Sequence, residues 1–363
     1  MNYRPTYVEV NLTALEHNIK QLVARYANYE HHFAVVKADC YGHGAIPCTE
    51  VAIKAGCDYL CVASLDEAIE LRNHFGEIPI LCLGIIDQAF LQDCVENDIT
   101  ITLSNLEYIR NMPKDLGIKA HIKINTGMNR LGLSSREELS EAFKLLKGSS
   151  VNLEGIYTHI YQADDRDKTE AQFAKFEEVI RDCDLSQFKY IHIGASDATE
   201  FFEKRPYTNA CRLGISMYGL VDYPDAEFES TFKLMSKVIQ INEVSGGTLG
   251  YNGTYEIGEN ERIAVIPVGY ADGIIRKNKG RDVYINGKAH PIIGNICMDM
   301  LFVKVDKSVK VGDSVEIIRD IEHIKQIAKH LDTITYEVIC SIGKRVPRLY
   351  IDPDDIKVEL IKD

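Results

Sequence analysis

From residue 12 to about residue 220 the chain alternates short apolar runs with amphipathic, helix-like stretches, and this alternation restricts the fold more than any other feature. The strand-like runs are Ala34–Lys37, Tyr59–Ala63, Ile80–Leu83, Ile99–Leu103, Ala120–Ile124, Leu153–Tyr157, Tyr190–Ile193 and Asn209–Arg212. Helix starts lie between them. Ser64, Ser104 and Ser134 each stand three residues before a glutamate (Glu67, Glu107, Glu137), the spacing of a capping box. Eight β/α units in about 210 residues predict a closed parallel (β/α)8 barrel rather than an open sheet.

Past Tyr223-Pro224 the long helical stretches stop. Runs at Lys233–Val244, Arg262–Val268, Asp282–Ile285, Met300–Val305 and Ser314–Ile318 read as strands, with one helix near Ile321–His330. The expected organisation is a barrel over residues 1–225 and a C-terminal β-rich domain over 226–363, with no low-complexity linker between them.

Lys and Arg total 41 against 54 for Asp and Glu, a net charge of -13, and no basic stretch is dense enough to follow a phosphate backbone. Nucleic acid is not an expected partner. The longest apolar run, Ile78–Ile86, falls well short of the ~18 residues that cross a bilayer, so no membrane segment is expected. The N-terminus leads into strand-like residues without the apolar core of a secretory signal. Ten cysteines include no Cys-x-x-Cys pair, so neither a zinc knuckle nor any other metal site is expected. A reducing, cytoplasmic setting is the simplest reading.

In a β/α barrel the reactive groups gather at the carboxyl ends of the strands, where the βα loops line a pocket. Those positions hold Lys37 after the first run, Lys123 and Arg130 at the fifth, His159 at the sixth, Ser196 at the seventh, and Arg212 before Gly214 at the eighth. The set is cationic. A lysine closing an apolar strand either snorkels to the rim or has its pKa lowered by burial and serves as a Schiff-base nucleophile. The Arg212–Ile215 segment shifts the balance to the second reading. A glycine after the last strand, with backbone N–H groups opening a turn, is where barrels bind a phosphate, and Ser196 could donate to the same anion. Lysine chemistry beside a phosphate site points to pyridoxal 5'-phosphate.

Residues Ala34–Gly44 (AVVKADCYGHG) resemble the cofactor-lysine signature of the alanine racemase family. Further motifs follow in family order: Lys123–Arg130 with the following Leu-Gly, Gly155–His159, Arg212–Gly219, Gly250–Tyr255, Val268–Gly273, Ile296–Met300 and Arg345–Arg348. The resemblance spans nearly the whole chain. It implies an isomerase that interconverts L- and D-alanine, built from a pyridoxal-phosphate barrel and a β domain, with two subunits paired head to tail so that each completes the other's active site. By the same matching, Lys37 carries the cofactor and Tyr251 is the second acid/base. Tyr41, Ser196, Gly214 and Ile215 hold the phosphate, His159 lies beside the ring and Arg212 faces the pyridine nitrogen. Arg130 and the backbone at Met298 meet the substrate carboxylate. Lys123 matches a position that is carbamylated in several members, where it orients the arginine corresponding to Arg130.

These implied roles suit the chemistry. Racemisation removes a proton from one face and returns one to the other, which two groups on opposite faces do more simply than one that must move. Tyr251, with an ordinary pKa near ~10, needs positive charge nearby to act as a base. Guanidinium does not give up its proton, so Arg212 would leave the ring nitrogen unprotonated, a poorer electron sink that restrains transamination. Without the motif, Tyr251 would read as one packing tyrosine among 19, His159 as a core histidine and Asp299 as the partner of a basic neighbour.

The chain departs from the family pattern at three positions. Ala195 stands where an asparagine is frequent, Lys344 where a tyrosine usually touches the phosphate, and Asn295 where many members have an arginine in the entry passage. The last two leave serine, or a broader range of small amino acids, open as substrates. A decarboxylase of the same architecture would face the ring nitrogen with an acid, where this chain offers Arg212. A non-catalytic cofactor carrier would resemble the barrel alone, without the domain that brings Tyr251 and Met298.

Overall fold

The computed structural model describes residues 3–352. Strand β1 (Tyr7–Asn11) and helix α1 (Leu12–Arg25) open the chain. Eight strands then alternate with helices: β2 (His31–Val35), β3 (Tyr59–Val62), β4 (Ile80–Cys82), β5 (Ile99–Leu103), β6 (Lys119–Lys123), β7 (Asn152–Tyr157), β8 (Tyr190–Ala195) and β9 (Ala210–Leu213). Neighbours pair in parallel, and β9 returns to β2 with His31 opposite Ala210 through Ala34 opposite Leu213, which closes the barrel. These strands are buried along most of their length because helices cover their outer faces while side chains fill the interior. The first strand shows the largest displacement from expectation. It stops at Val35, and Lys37 begins the following turn rather than ending the strand.

Ser64 caps the helix Leu65–His74 by accepting from the Glu67 N–H, as its spacing predicts. The other two caps lie one residue further on, where Asn105 accepts from Tyr108 and Ser135 from Glu138. Both neighbouring pairs, Ser104-Asn105 and Ser134-Ser135, offer two good capping acceptors, so residue type alone does not separate them.

The second sheet takes strands β10 (Phe232–Lys237) and β11 (Gln240–Val244), then, after the short hairpin β12 (Thr248–Leu249) and β13 (Tyr255–Glu256), strands β14 (Glu261–Ile266), β15 (Asp282–Ile285), β16 (Lys288–Ile293), β17 (Leu301–Lys304), β18 (Ser314–Ile318) and β19 (Arg348–Ile351). Its nine strands run β11-β14-β17-β16-β15-β18-β10-β1-β19. The expected run Lys233–Val244 is two strands, broken where the buried Val238 turns the chain and donates to Asp313 O. The expected helix is present at Ile321–Leu331, with Ile324, Ile327 and Ala328 on its buried face.

Residues 7–11 fall within the span 1–225, yet β1 pairs antiparallel with β10 and parallel with β19. The chain therefore begins in the second sheet before it enters the barrel. Val8 and Val10 point into that sheet's core while Tyr7, Glu9 and Asn11 are half-buried. Residues 1–2 and 353–363 of the two expected spans lie outside the described residues.

Candidate active site

A cavity of about 510 Å³ opens at the carboxyl mouth of the barrel. Of the residues expected at the site, it gathers Lys37, Tyr41, Arg130, His159, Ser196, Arg212, Gly214 and Ile215, together with Lys123. Tyr251 and Met298 do not line it.

Lys37 and Tyr41 reach the cavity through an unusual turn. Ala38, Asp39, Cys40 and Tyr41 all have φ between 49° and 55°, a left-handed helical turn made without glycine. For L-residues this costs roughly 1–2 kcal/mol each, so the surroundings must over-determine it. They do: Ala38 N–H donates to Glu67 Oε1 (2.7 Å), Ala45 N–H to Asp39 Oδ1 (2.6 Å), and Arg348 Nε to Gly42 O (3.0 Å). The turn is held by side chains from both domains.

At the opposite wall Arg212 is 3% exposed. Its Nη2 donates to Thr158 O and Ile193 O and its Nη1 to His192 O and His192 Nδ1, which fixes the guanidinium plane. No hydrogen bond among the described residues is made to Arg212 Nε, and Arg212 borders the cavity. His159 lies beside it, with Nδ1 3.5 Å from Arg212 Nη2. Burial, then the charge of Arg212, hold His159 down at about 3, so its ring is neutral.

Ser196, Gly214, Ile215 and Tyr41 form a third wall. Ser196 has φ of 41°, a second strained non-glycine residue at the cavity. A Cβ on Gly214 would lie 3.4 Å from Tyr41 Oη and 3.5 Å from Ser196 Oγ, so the missing side chain leaves two hydroxyls converging on bare backbone. Such a cradle suits a small anion with several acceptor oxygens.

The cavity's charge is lopsided: Lys37, Lys123, Arg130 and Arg212 line it against the single carboxylate Asp197. Burial and then the charge of Arg130 pull Lys37 below the ordinary lysine range. The same causes, with Arg212 and Lys37 added, bring Lys123 down to about 8. An amine with a lowered pKa keeps a larger neutral fraction and is the better nucleophile.

The remaining expected residues stand elsewhere. Tyr251 is 70% exposed on the three-residue turn Tyr251–Gly253, and Asn295 Nδ2 donates to its backbone oxygen (2.9 Å). Asn295 thus braces the Tyr251 turn from within the same chain. Met298 is exposed on a loop whose carbonyl accepts from Ala271 N–H, and Asp299 is the partner of Arg345. Lys344 lines a separate cleft with Asp39 and Glu70 rather than the cavity wall. That wall has Tyr336, its ring 6.0 Å from that of Tyr41. Tyr336 and Tyr157 are cavity residues that sequence reasoning missed. Tyr157 ends β7 two residues before His159 and was open to the same strand-end argument, whereas nothing in the sequence around Tyr336 marks it.

The match to known proteins covers both parts of this architecture. The alanine racemase N-terminal domain matches residues 10–222 and the alanine racemase C-terminal domain residues 231–350. The alanine racemase of Halalkalibacterium halodurans is 36% identical, over 96% of this chain and 95% of its own. Alanine racemase 1 of Bacillus subtilis is 34% identical, over 98% and 95%. The solved alanine racemase of Bacillus anthracis with bound L-Ala-P superposes with a TM-score of 0.93 at 34% identity, covering 99% of this chain and 98% of that one. With both domains matched in order and the relatives aligned over nearly their full lengths, this chain belongs to the alanine racemase family, a family of isomerases.

Proposed function

We propose that the protein is a pyridoxal-phosphate-dependent alanine racemase acting as a homodimer, with Lys37 and Tyr251 as its two acid/base groups. The observation that carries the reading is the convergence on one cavity of a lysine with lowered pKa, the Tyr41–Ser196–Gly214 cradle and a buried arginine. A phosphate with an aldehyde-bearing ring needs those three things. Lys37 would hold the aldehyde carbon, Tyr41, Ser196 and the backbone at Gly214 and Ile215 the phosphate, and Arg212 Nε the ring nitrogen, with His159 alongside. When bound there, the cofactor acidifies the α-hydrogen of an amino acid.

The chain's own residues do the rest. Arg130 meets the substrate carboxylate as a fixed fork donor, together with the N–H of Met298. Lys37 Nζ would take or return the α-proton on one face, and Tyr251 Oη of the partner subunit would serve the other. The lowered pKa of Lys123 leaves it neutral often enough to react with carbon dioxide, and a carbamate there would turn the cation beside Arg130 into an anion that orients it.

Pairing with a partner is supported by what the second domain displays. Tyr251, Tyr270, Met298 and Met300 are each more than 40% exposed, and they are tied together by Asn295 and by backbone bonds from Tyr270 to Cys297 and Ala271 to Met298. A patch of this kind reads as an interface. Lys344 lies away from the cavity and Tyr336 supplies an aromatic wall, so no observation here favours serine over alanine. No helix among the described residues is long and apolar enough to cross a membrane, and the ten cysteines are free thiols, which supports a cytoplasmic setting.

The test is incubation of the cofactor-loaded protein with L-alanine, and separately L-serine, in deuterated water. The reading requires α-deuterium incorporation with formation of D-alanine at a clearly higher rate than D-serine. Absence of both exchange and D-alanine overturns it.

A further inference from the structure

The barrel interior carries a file of polar side chains in the middle of an apolar core. Arg212 on β9, His192 on β8 and His121 on β6 are hydrogen-bonded in that order, and Glu154 on β7 stands beyond His121 as its charged neighbour. Arg212 Nη1 lies 2.5 Å from His192 Nδ1, His192 Nε2 lies 2.9 Å from His121 Nδ1, and His121 Nε2 faces Glu154 Oε1 at 3.6 Å. Arg212 sits near the carboxyl end of its strand. Glu154 is the third residue of its own, where Tyr59 Oη and Thr100 Oγ1 also donate to it at 2.9 Å, so the file crosses the barrel from the cavity toward the opposite mouth.

The direction of both hydrogen bonds follows from the arginine end, and the buried His121 Nε2, which makes no hydrogen bond among the described residues, faces Glu154 electrostatically. Arginine only donates, so His192 Nδ1 must accept. Burial holds both histidines below their ordinary range, so each is neutral with one ring proton. His192 therefore carries its proton on Nε2 and gives it to His121 Nδ1. His121 in turn carries its proton on Nε2, pointed at Glu154. At 3.6 Å the Glu154 carboxylate acts on that N–H as a charge rather than as a hydrogen-bond acceptor.

The fold makes room for the file. A Cβ on Gly155 would fall 2.5 Å from the His121 ring, so the glycine beside Glu154 is what lets that imidazole stand between β6 and β7. Arg212, for its part, is a buried charge whose hydrogen-bond partners are carbonyls and the imidazoles of His192 and His159, with no carboxylate among the described residues bonded to it. A buried cation without counter-charge is costly, and polarised hydrogen bonds in series transmit charge better than isolated ones.

We propose that Glu154 is a positioning residue for Arg212. Beyond His121 and His192 it supplies the distant negative charge that favours the tautomers set by Arg212 and so helps hold the guanidinium in place at the cavity. The kinetic consequence rests on the assignment of Arg212 to the cofactor's ring nitrogen; the proton positions do not.

Neutron diffraction from deuterium-exchanged crystals of the holoenzyme reads those positions directly. Deuterons are expected on Nε2 of His192 and of His121, with Nδ1 of both rings and the Glu154 carboxylate bare. A deuteron on either Nδ1, or on Glu154, overturns the proposal whatever the enzyme's substrate. The kinetic arm compares Glu154→Gln, which keeps an acceptor and removes the charge, with Tyr59→Phe, which removes a donor to the same carboxylate and leaves the charge. Glu154→Gln is expected to lower kcat about tenfold with KM within about twofold and to raise pyruvate formed per turnover, while Tyr59→Phe at a similar loss of Tm leaves both unchanged. Equal kcat losses in the two variants, or a Glu154→Gln kcat within twofold of the parent, reduce Glu154 to a structural residue and sink the idea. If Glu154→Gln does not fold, the neutron result on the unaltered protein still decides.

Discussion

At the barrel mouth Arg212 is 3% exposed, two turns are held in left-handed or otherwise strained backbone, and four cations share one cavity. In the second domain Tyr251 is 70% exposed on a three-residue turn braced by one asparagine. The first region is closed, electrostatically expensive and finished within one chain. The second is open to solvent, its turn held at the backbone by Asn295. A rigid cofactor demands the first arrangement, because its contacts must be in place before chemistry starts. A group that serves only one face of the substrate can be brought in from outside.

The sharpest way to break this comparison is to damage each region in a separate protein. Lys37→Ala should lose the visible absorption of bound cofactor and nearly all racemisation. Tyr251→Phe should keep the absorption and lose about 10²–10⁴-fold in at least one direction, the usual range for an acid/base group. Mixing the two dead proteins and allowing subunits to exchange should restore about a quarter of the parent activity, since half the dimers are mixed and each has one intact site. If exchange is verified and nothing returns, Lys37 and Tyr251 come from one chain and the open region must fold back on its own barrel.

The next effect lies wholly in the closed region. Arg212→Glu should let the ring nitrogen protonate, slowing racemisation by at least about tenfold and raising the pyruvate formed per D-alanine. Far-UV circular dichroism controls for unfolding, and Arg212→Lys, which keeps the charge, separates loss of the fork from reversal of charge. An unchanged pyruvate ratio in a folded Arg212→Glu protein removes Arg212 from the ring.

What could be read in the sequence follows the same divide between local and distant causes. The eight barrel strands were legible because each contains a short apolar run bounded by helix starts, and Lys37, Arg212 and Gly214 as cavity-lining positions because the βα loops at the strands' carboxyl ends form the pocket rim. The left-handed turn at Ala38–Tyr41 was not, since its dihedrals are imposed by Glu67 and Arg348 rather than by any local preference for positive φ. The place of strand β1 in the second sheet was not legible, because its partners, β10 and β19, lie more than 200 residues away in sequence. His121 and His192 passed as members of apolar strands, and only the structure aligns them with Glu154. Tyr251 was singled out through its motif alone, as an exposed tyrosine on a turn carries no physical signal of its own.

The smallest effect measures how much the closed region costs. Lys123 is buried beside Arg130, Arg212 and Lys37, and its pKa is brought from the ordinary 10.5 to about 8. In that window the unfolded chain still holds a proton the folded chain has shed, so stability should rise as pH climbs from about 8 to 10.5 and be flat below it, where both states are protonated. Lys123→Met keeps the stem and removes the charge. In buffer depleted of carbon dioxide it should melt higher than the parent at pH 7, by roughly 1–3 °C, and the gap should close across that window. A Lys123→Met gap that stays constant with pH would mean that the barrel mouth holds its cations without strain, and the contrast between the two regions would then rest on geometry alone.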